Sequence, residues 1–100
     1  EDEENWAAGF WPGSGPVDYP AFYAYAYPQP DGFPVAAVEP DAAFWSAEMR
    51  EFLLPYDAVR TADDPEADVM TFLQSTYVAA AELAGWDRER LEFRELPKPR

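Results

Sequence analysis

The chain has 100 residues, a formal net charge of −13, 17% aromatic residues and neither cysteine nor histidine. This length allows one domain at most, and an acidic chain repels nucleic acids and anionic membrane surfaces, so we expect neither as a partner. Without cysteine and histidine, the chain has no disulfide, no zinc–thiolate site and no Ser-His triad of its own.

The remaining composition bears on origin and location. One lysine, no isoleucine and seventeen alanines suggest the high-GC coding bias of many bacteria. No apolar run reaches the roughly 18–20 residues of a membrane span, and the absence of cysteine suits a reducing compartment. We therefore expect a soluble, cytoplasmic protein. Because the sequence begins at Glu1 and not at Met, we interpret it as a segment of a longer chain.

The N-terminal third contains one weak and one strong strand signal. We expect residues 1–8 to be an acidic, frayed segment, although the aromatic run Asn5–Trp11 is also a candidate strand. After a Pro/Gly loop, residues 21–27 alternate strictly and predict a strand. Tyr23, Tyr25 and Tyr27 lie on one side of it, which we call the tyrosine face, and small alanines lie on the other.

The middle of the chain predicts a connection and a hairpin. Residues 33–42 are rich in Pro and Ala and suggest an extended connection. Residues 43–45 and 51–54 then predict two short strands joined by a turn, although residues 47–49 would also suit a helical turn. Pro55 ends regular pairing or places it at a sheet edge.

The C-terminal third contains the strongest helix signal, from about residue 65 to 84. Asp64 is a suitable N-cap, Pro65 suits the first helical position, and Gly85 suits a left-handed stop. We expect Trp86 to fold back on the last turn and Asp87 to cap another short turn. Apolar and small residues at 3/4 spacing predict one buried helix face: Val69, Phe72, Leu73, Thr76, Ala80 and Leu83.

Together these elements predict an α+β fold. A small antiparallel sheet of three or four short strands carries one long C-terminal helix, which we expect on the Ala24/Ala26 side because small residues permit close approach. The predicted folded part spans residues 9–91, and residues 92–100 are expected to form a loose tail.

Four runs, in this order, resemble one protein family: residues 9–13, 21–28, 51–60, and 72–77 with 84–88. The chain is similar to the C-terminal portion of the uncharacterised bacterial domain-of-unknown-function family 5996, whose full members are much longer. That family has no established activity, so no functional residue transfers. The resemblance implies that this segment completes a core together with the remainder of its parent domain.

The tyrosine face is the main candidate binding site. Alternate residues of a strand stand about 6.5–7 Å apart, so Tyr23, Tyr25 and Tyr27 form a row of rings that suits a sugar or another flat ligand. Trp11, Trp45 and Tyr56 are candidates to extend this row. The alternative is that the rings belong to the core, with their hydroxyls at a polar rim.

Asp57 and Arg60 form a second candidate, since a loop after Pro55 would be able to aim Asp57 into a cleft. The simpler alternative is a local ion pair or turn cap. The acids of residues 63–68 lack the spacing and central glycine of a calcium loop and are better explained by the start of the helix. We predict no catalytic residue, metal ligand or cofactor in this chain.

Three hypotheses about function follow. The first is a non-catalytic structural segment of a larger protein, prone to self-association when isolated because its aromatic face is uncovered. The second is an aromatic-lined module that binds a glycan or small molecule. The third is part of an enzyme whose histidines lie upstream, with Asp57 supplying at most an acid.

Overall fold

The structure, a computed structural model, describes residues 5–85. Four antiparallel strands form one sheet in the spatial order β1-β2-β4-β3. The strands are β1 (Asn5–Trp11), β2 (Ala21–Tyr27), β3 (Phe44–Ser46) and β4 (Glu51–Pro55). A 3-10 helix (Phe33–Val35) precedes β3, and two helices follow β4: α1 (Tyr56–Arg60) and α2 (Pro65–Ala84). The predicted α+β fold class is confirmed.

The strand predictions hold for β1, for β2 and for the β3–β4 hairpin. The sheet begins at Asn5, four residues before residue 9, where we expected the folded part to start. The reason is that Trp6 and Ala8 pack against the core from the edge strand. Residues 1–4, the expected fold-back of Trp86, the turn after Asp87 and the tail at 92–100 lie outside the described residues.

Helix α2 packs on the alanine side of β2. Ala24 and Ala26 are buried in one cluster with Phe72, Ala79 and Ala80 of the helix. Small side chains on both surfaces let the helix backbone approach the sheet closely, while Phe72 fills the remaining space. The predicted placement of the helix is therefore confirmed, and the tyrosine face lies on the opposite side of the sheet.

A hydrogen bond joins the edge strand to the helix. The indole N–H of Trp6 donates to Oγ1 of Thr76 over 3.1 Å, and the same hydroxyl donates to the carbonyl of Phe72 over 2.9 Å. The Trp6 ring also meets Tyr77 edge to face, with the ring centroids 5.7 Å apart. Thr76 is fully buried, so this chain of bonds satisfies polar groups that would otherwise destabilise the core.

The predicted buried face of α2 is wrong at its C-terminal end. Phe72, Thr76 and Ala80 are buried, but Leu83 is 47% exposed. The last turns bury Ala79, Ala80 and Ala81 instead. Leu83 lies beside Gly32 of the connection that precedes β3, not under the sheet.

The connection between β2 and β3 also differs from the prediction. Residues 33–42 were expected to be extended, but they begin with the 3-10 helix, which follows Gly32 in a left-handed conformation (φ 87°). This turn places Phe33 in the core, where it is fully buried and meets the rings of Trp45 and Phe52 edge to face. The connection thus contributes a core residue between the sheet and α2.

Helix α2 has the ends that the sequence predicts. Asp64 caps the N-terminus through a 3.2 Å hydrogen bond from the Ala67 amide to its carboxylate, and Gly85 ends the helix at φ 73°. Glu66 and Asp68 lie in the first turn, where negative charge is favourable. Within residues 5–85, no helix combines the length and apolar character needed to cross a membrane.

Asp64→Ala should lower the free energy of unfolding by about 0.5–2 kcal/mol, because it removes the cap from the longest helix. Asp63→Ala is the matched control, since Asp63 is an exposed neighbour with the same charge. Urea unfolding followed by circular dichroism measures both. An equal loss of stability in the two variants would contradict a capping role for Asp64.

Candidate functional site

The face of the sheet opposite α2 carries the tyrosine row. The side chains of Tyr23, Tyr25 and Tyr27 share it with Leu53 of β4. The rings of Tyr23 and Tyr25 are nearly parallel, 11° apart, with centroids separated by 6.2 Å. Tyr25 is 37% and Tyr27 53% exposed, whereas Tyr23 is half-buried. The three predicted tyrosines therefore form one continuous surface.

Small residues of β1 make room for these rings. Gly9 pairs with Tyr23 and Ala7 pairs with Tyr25 across the β1–β2 ladder. A Cβ atom on Gly9 would lie 2.6 Å from the hydroxyl oxygen of Tyr23, so this ring lies over the glycine backbone. An aromatic ring that covers a cross-strand glycine restores the packing that the glycine lacks. The pairing explains why β1 has no large side chain opposite the tyrosine row.

One end of the face is already covered. The indole N–H of Trp11 donates to the carbonyl of Val17 over 2.8 Å, which holds the loop between β1 and β2 over this end. Val17, Ala21 and Leu53 form a second buried cluster there, with Met49 against it. The predicted site residue Trp11 therefore borders the tyrosine face, and the uncovered part is the end that bears Tyr25 and Tyr27.

Glu51 is buried at the border of this face. It is only 8% exposed, and within residues 5–85 its carboxylate has neither an ion pair nor a hydrogen-bond donor. The next residue of β4, Phe52, is the last to pair with β2, opposite Ala24, and Ser46 of β3 pairs with Glu51 itself. Burial raises the pKa of the Glu51 carboxyl above its ordinary value, since removal from water disfavours the charged form.

Trp45 and Tyr56 do not extend the tyrosine row as predicted. Trp45 pairs with Phe52, whose side chain faces α2, and its ring contacts Phe33 and Phe52 edge to face. Tyr56 opens α1 and its ring meets Phe10, which also points to the helix side of the sheet. The pairing of β3 with β4 places Trp45 on the helix side of the sheet, and the contact with Phe10 places Tyr56 there.

Asp57 and Arg60 lie on α1 and not in a cleft. Arg60 Nε donates to Asp57 Oδ1 over 2.6 Å, and both side chains are more than half exposed. This hydrogen bond and, to a smaller extent, the negative charge of Asp57 raise the pKa of the Arg60 guanidinium above its ordinary value. The arrangement is a local ion pair on a short helix, which contributes little to stability at the surface.

A groove lies on the other side of the molecule, between α2 and the connection before β3. It has a volume of about 680 Å³, it is open to solvent, and no predicted site residue lines it. The residues that line it include the apolar Ala36, Val78 and Ala79 and the acidic Glu39 and Glu82. In residues 5–85, no group of three acidic side chains is placed to hold a metal ion.

Several residues of the tyrosine face were not predicted from the sequence, among them Gly9 and Glu51. Gly9 was overlooked because its role depends on pairing with β2, although a glycine within an aromatic strand often marks close approach of another group. The burial of Glu51 was not predicted, because it depends on neighbours in other strands. Glu51 lies two residues before Leu53 in β4, so the two side chains point to the same face of the sheet. This spacing was the signal that the sequence offered.

A sheet covered by a helix on one side and lined with tyrosines on the other defines an α+β protein with an open aromatic face. The sequence matches the model of a family of unknown function, DUF5996, over residues 1–93, and the chain belongs to that family. The predicted membership of this family is therefore confirmed, and the prediction that the chain is the C-terminal portion of a longer bacterial member stays a prediction. No curated protein and no solved structure matches the chain.

Gly9→Ala should destabilise the fold by about 1–3 kcal/mol, because the added methyl group displaces the Tyr23 ring. In a Tyr23→Ser background, the same substitution should have no destabilising effect. Urea unfolding of the four proteins forms a double-mutant cycle that isolates the contact. Equal losses in both backgrounds would show that the ring is not what Gly9 accommodates.

Glu51→Gln should stabilise the chain at pH 7. Burial raises the folded-state pKa of Glu51 above the unfolded value of about 4.3. Below the unfolded pKa the carboxyl is protonated in both states, so it does not change the free energy of unfolding. As the pH rises through the folded pKa, ionisation of the buried carboxyl lowers the free energy of unfolding. Thermal melts should show the midpoint difference shrinking as the pH falls to about 4. Glu48→Gln, an exposed control in the adjacent turn, should have a smaller effect. Lower stability of Glu51→Gln at pH 7 would contradict the assignment.

Proposed function

We propose that the chain is a non-catalytic structural segment of a larger protein, in which further polypeptide of the parent chain covers the tyrosine face. The observation that supports it most directly is the exposure of Tyr25 and Tyr27 on a sheet whose other face is closed by α2. A sheet with apolar side chains on both faces is normally buried on both. The tyrosine face is the side that lacks a covering layer among the described residues.

The shape of the face supports a polypeptide partner in preference to a small molecule. The groove beside α2 is lined by no tyrosine, and Tyr23 and Tyr25 present a row of near-parallel rings instead of an enclosed site. Small-molecule sites are usually concave and bury most of the ligand. A flat aromatic surface suits a second layer of secondary structure.

A glycan-binding module is the second candidate. The parallel rings of Tyr23 and Tyr25 and the exposed ring of Tyr27 are spaced along one strand, as stacking on successive sugar units requires. In that case the tyrosine face would remain exposed to solvent in the whole protein. The two proposals therefore differ in whether the parent chain buries Tyr25 and Tyr27.

Three finer points belong to the same proposal. The bacterial origin is supported by the alanine-rich, lysine-poor composition, and the cytoplasmic location by the absence of cysteine. The enzyme hypothesis gains no support from Asp57, since its carboxylate is exposed and paired with Arg60.

The test compares one double variant in two contexts. Tyr25→Ser/Tyr27→Ser should lower the stability of the 100-residue chain moderately, because the two rings are already partly covered in it, with Tyr25 37% and Tyr27 53% exposed. In the full-length parent protein, the same substitutions should cost at least about 1.5 kcal/mol more, because there the rings are buried. Thermal melts of the four proteins measure the difference.

Tyr56→Ser is the control, since Tyr56 is similarly exposed at 43% but its ring lies on the helix side of the sheet. Its effect should be the same in both contexts. If Tyr25→Ser/Tyr27→Ser also has the same effect in both, the parent chain does not cover this face. The glycan-binding alternative would then be favoured, and Trp11, which borders the face, supplies a fluorescence readout for oligosaccharide titration.

A further inference from the structure

Among residues 5–85, nothing pairs with the outer edge of β1. β1 pairs with β2 on its other side. Its seven residues pair one-to-one with β2 without a bulge, and they include no proline and no charged residue. Proteins usually protect an exposed edge with a bulge, a charge or a proline, because free backbone N–H and C=O groups recruit another strand.

The opposite edge of the sheet is different. β3 has only three residues, Phe44–Ser46, and its chain enters and leaves through turns. Short edge strands offer too few backbone groups for stable pairing. The two edges of this sheet are therefore unequal, and an added strand would pair with β1.

We propose that two copies of this chain associate through their β1 strands, antiparallel and about a two-fold axis centred on Ala8. This register overlaps all seven residues of each strand. It places Trp6 opposite the partner's Phe10, and Ala7 opposite the partner's Gly9. Phe10 is 49% exposed in the single chain, and cross-strand aromatic pairs are among the favourable contacts of antiparallel sheets.

Charge favours the antiparallel over the parallel orientation of two copies. The sequence places four acidic residues, Glu1 to Glu4, directly before β1, whereas residues 5–17 carry no charge. A parallel, in-register pair would set the two acidic runs side by side, and like charges in adjacent strands repel. In the antiparallel register, the strand ends that follow the two acidic runs in the sequence lie at opposite ends of the interface.

Pairing of this kind has a defined geometry. A two-fold axis perpendicular to the sheet joins two four-stranded sheets into one of eight strands. Both tyrosine faces then lie on the same side, and both α2 helices lie on the other. The dimer leaves Tyr25 and Tyr27 uncovered, so it is independent of whether further polypeptide covers the tyrosine face.

Sedimentation velocity of the full 100-residue chain from about 1 μM to about 1 mM should show a reversible monomer–dimer equilibrium. Phe10→Lys should weaken association by about tenfold or more, because it places a charge inside an apolar strand interface. Val35→Lys is the matched control, since Val35 is 86% exposed and lies in the connection before β3. Far-UV circular dichroism establishes that both variants fold.

Two further variants test the register, because the chain has no cysteine of its own. Ala8→Cys places the two thiols directly opposite each other, with Cβ atoms about 4.5–5.5 Å apart. Asn5→Cys places them about 20 Å apart, since six strand positions separate them. Mild oxidation should therefore link Ala8→Cys rapidly and Asn5→Cys slowly, although Asn5 is the more exposed position.

Tyr25→Ser/Tyr27→Ser should dimerise as well as the wild type, which separates edge pairing from adhesion of the tyrosine faces. Loss of association in that variant would overturn the proposal in favour of the tyrosine face. A chain that remains monomeric at all concentrations, equal effects of Phe10→Lys and Val35→Lys, or faster cross-linking of Asn5→Cys would also overturn it.

Discussion

The alternation of alanine and tyrosine along β2 determines how the two layers of this protein meet. Ala24 and Ala26 leave room for α2 to lie close to the sheet, and Phe72 fills the space that the alanines leave. A larger residue at either alanine would push the helix away and open the core, since protein interiors are packed without spare volume. On the other face, the same strand has its large side chains and, among the described residues, no helix to cover them. The asymmetry of one seven-residue strand therefore produces both the core and the open face.

The elements that the sequence predicted well are those defined by local patterns. β2 follows from strict alternation, and α2 follows from the signals at its two ends, Asp64 with Pro65 and then Gly85. These signals act within a few residues and do not depend on the rest of the fold. The side of the sheet on which α2 packs also followed from side-chain size alone. In all these cases, the information lies in neighbouring residues.

The features that the sequence did not predict depend on distant contacts. Phe33 is buried because a left-handed Gly32 turns the chain toward Trp45 and Phe52, and nothing local in residues 33–42 distinguishes this from an extended connection. Trp45 was wrongly assigned to the tyrosine row. Its side of the sheet depends on the register between β3 and β4, which the local sequence does not reveal. A shift of one residue in that register would reverse every side chain of the strand. The tyrosines of the candidate site were therefore predicted correctly. Trp45 was misassigned because its position depends on how the β3–β4 hairpin pairs with the rest of the sheet.

Trp6 and Trp11 occupy the two ends of β1, yet their indole groups are bonded to different parts of the molecule. Trp6 is attached to the helix through Thr76, and Trp11 is attached to the loop over the opposite face through Val17. One strand thus carries two intrinsic chromophores that sense separate environments. In a chain whose Trp45 and Trp86 are already replaced by phenylalanine, replacing either Trp6 or Trp11 would leave the other to show, in solution, whether the helical layer and the aromatic surface loosen together or in succession.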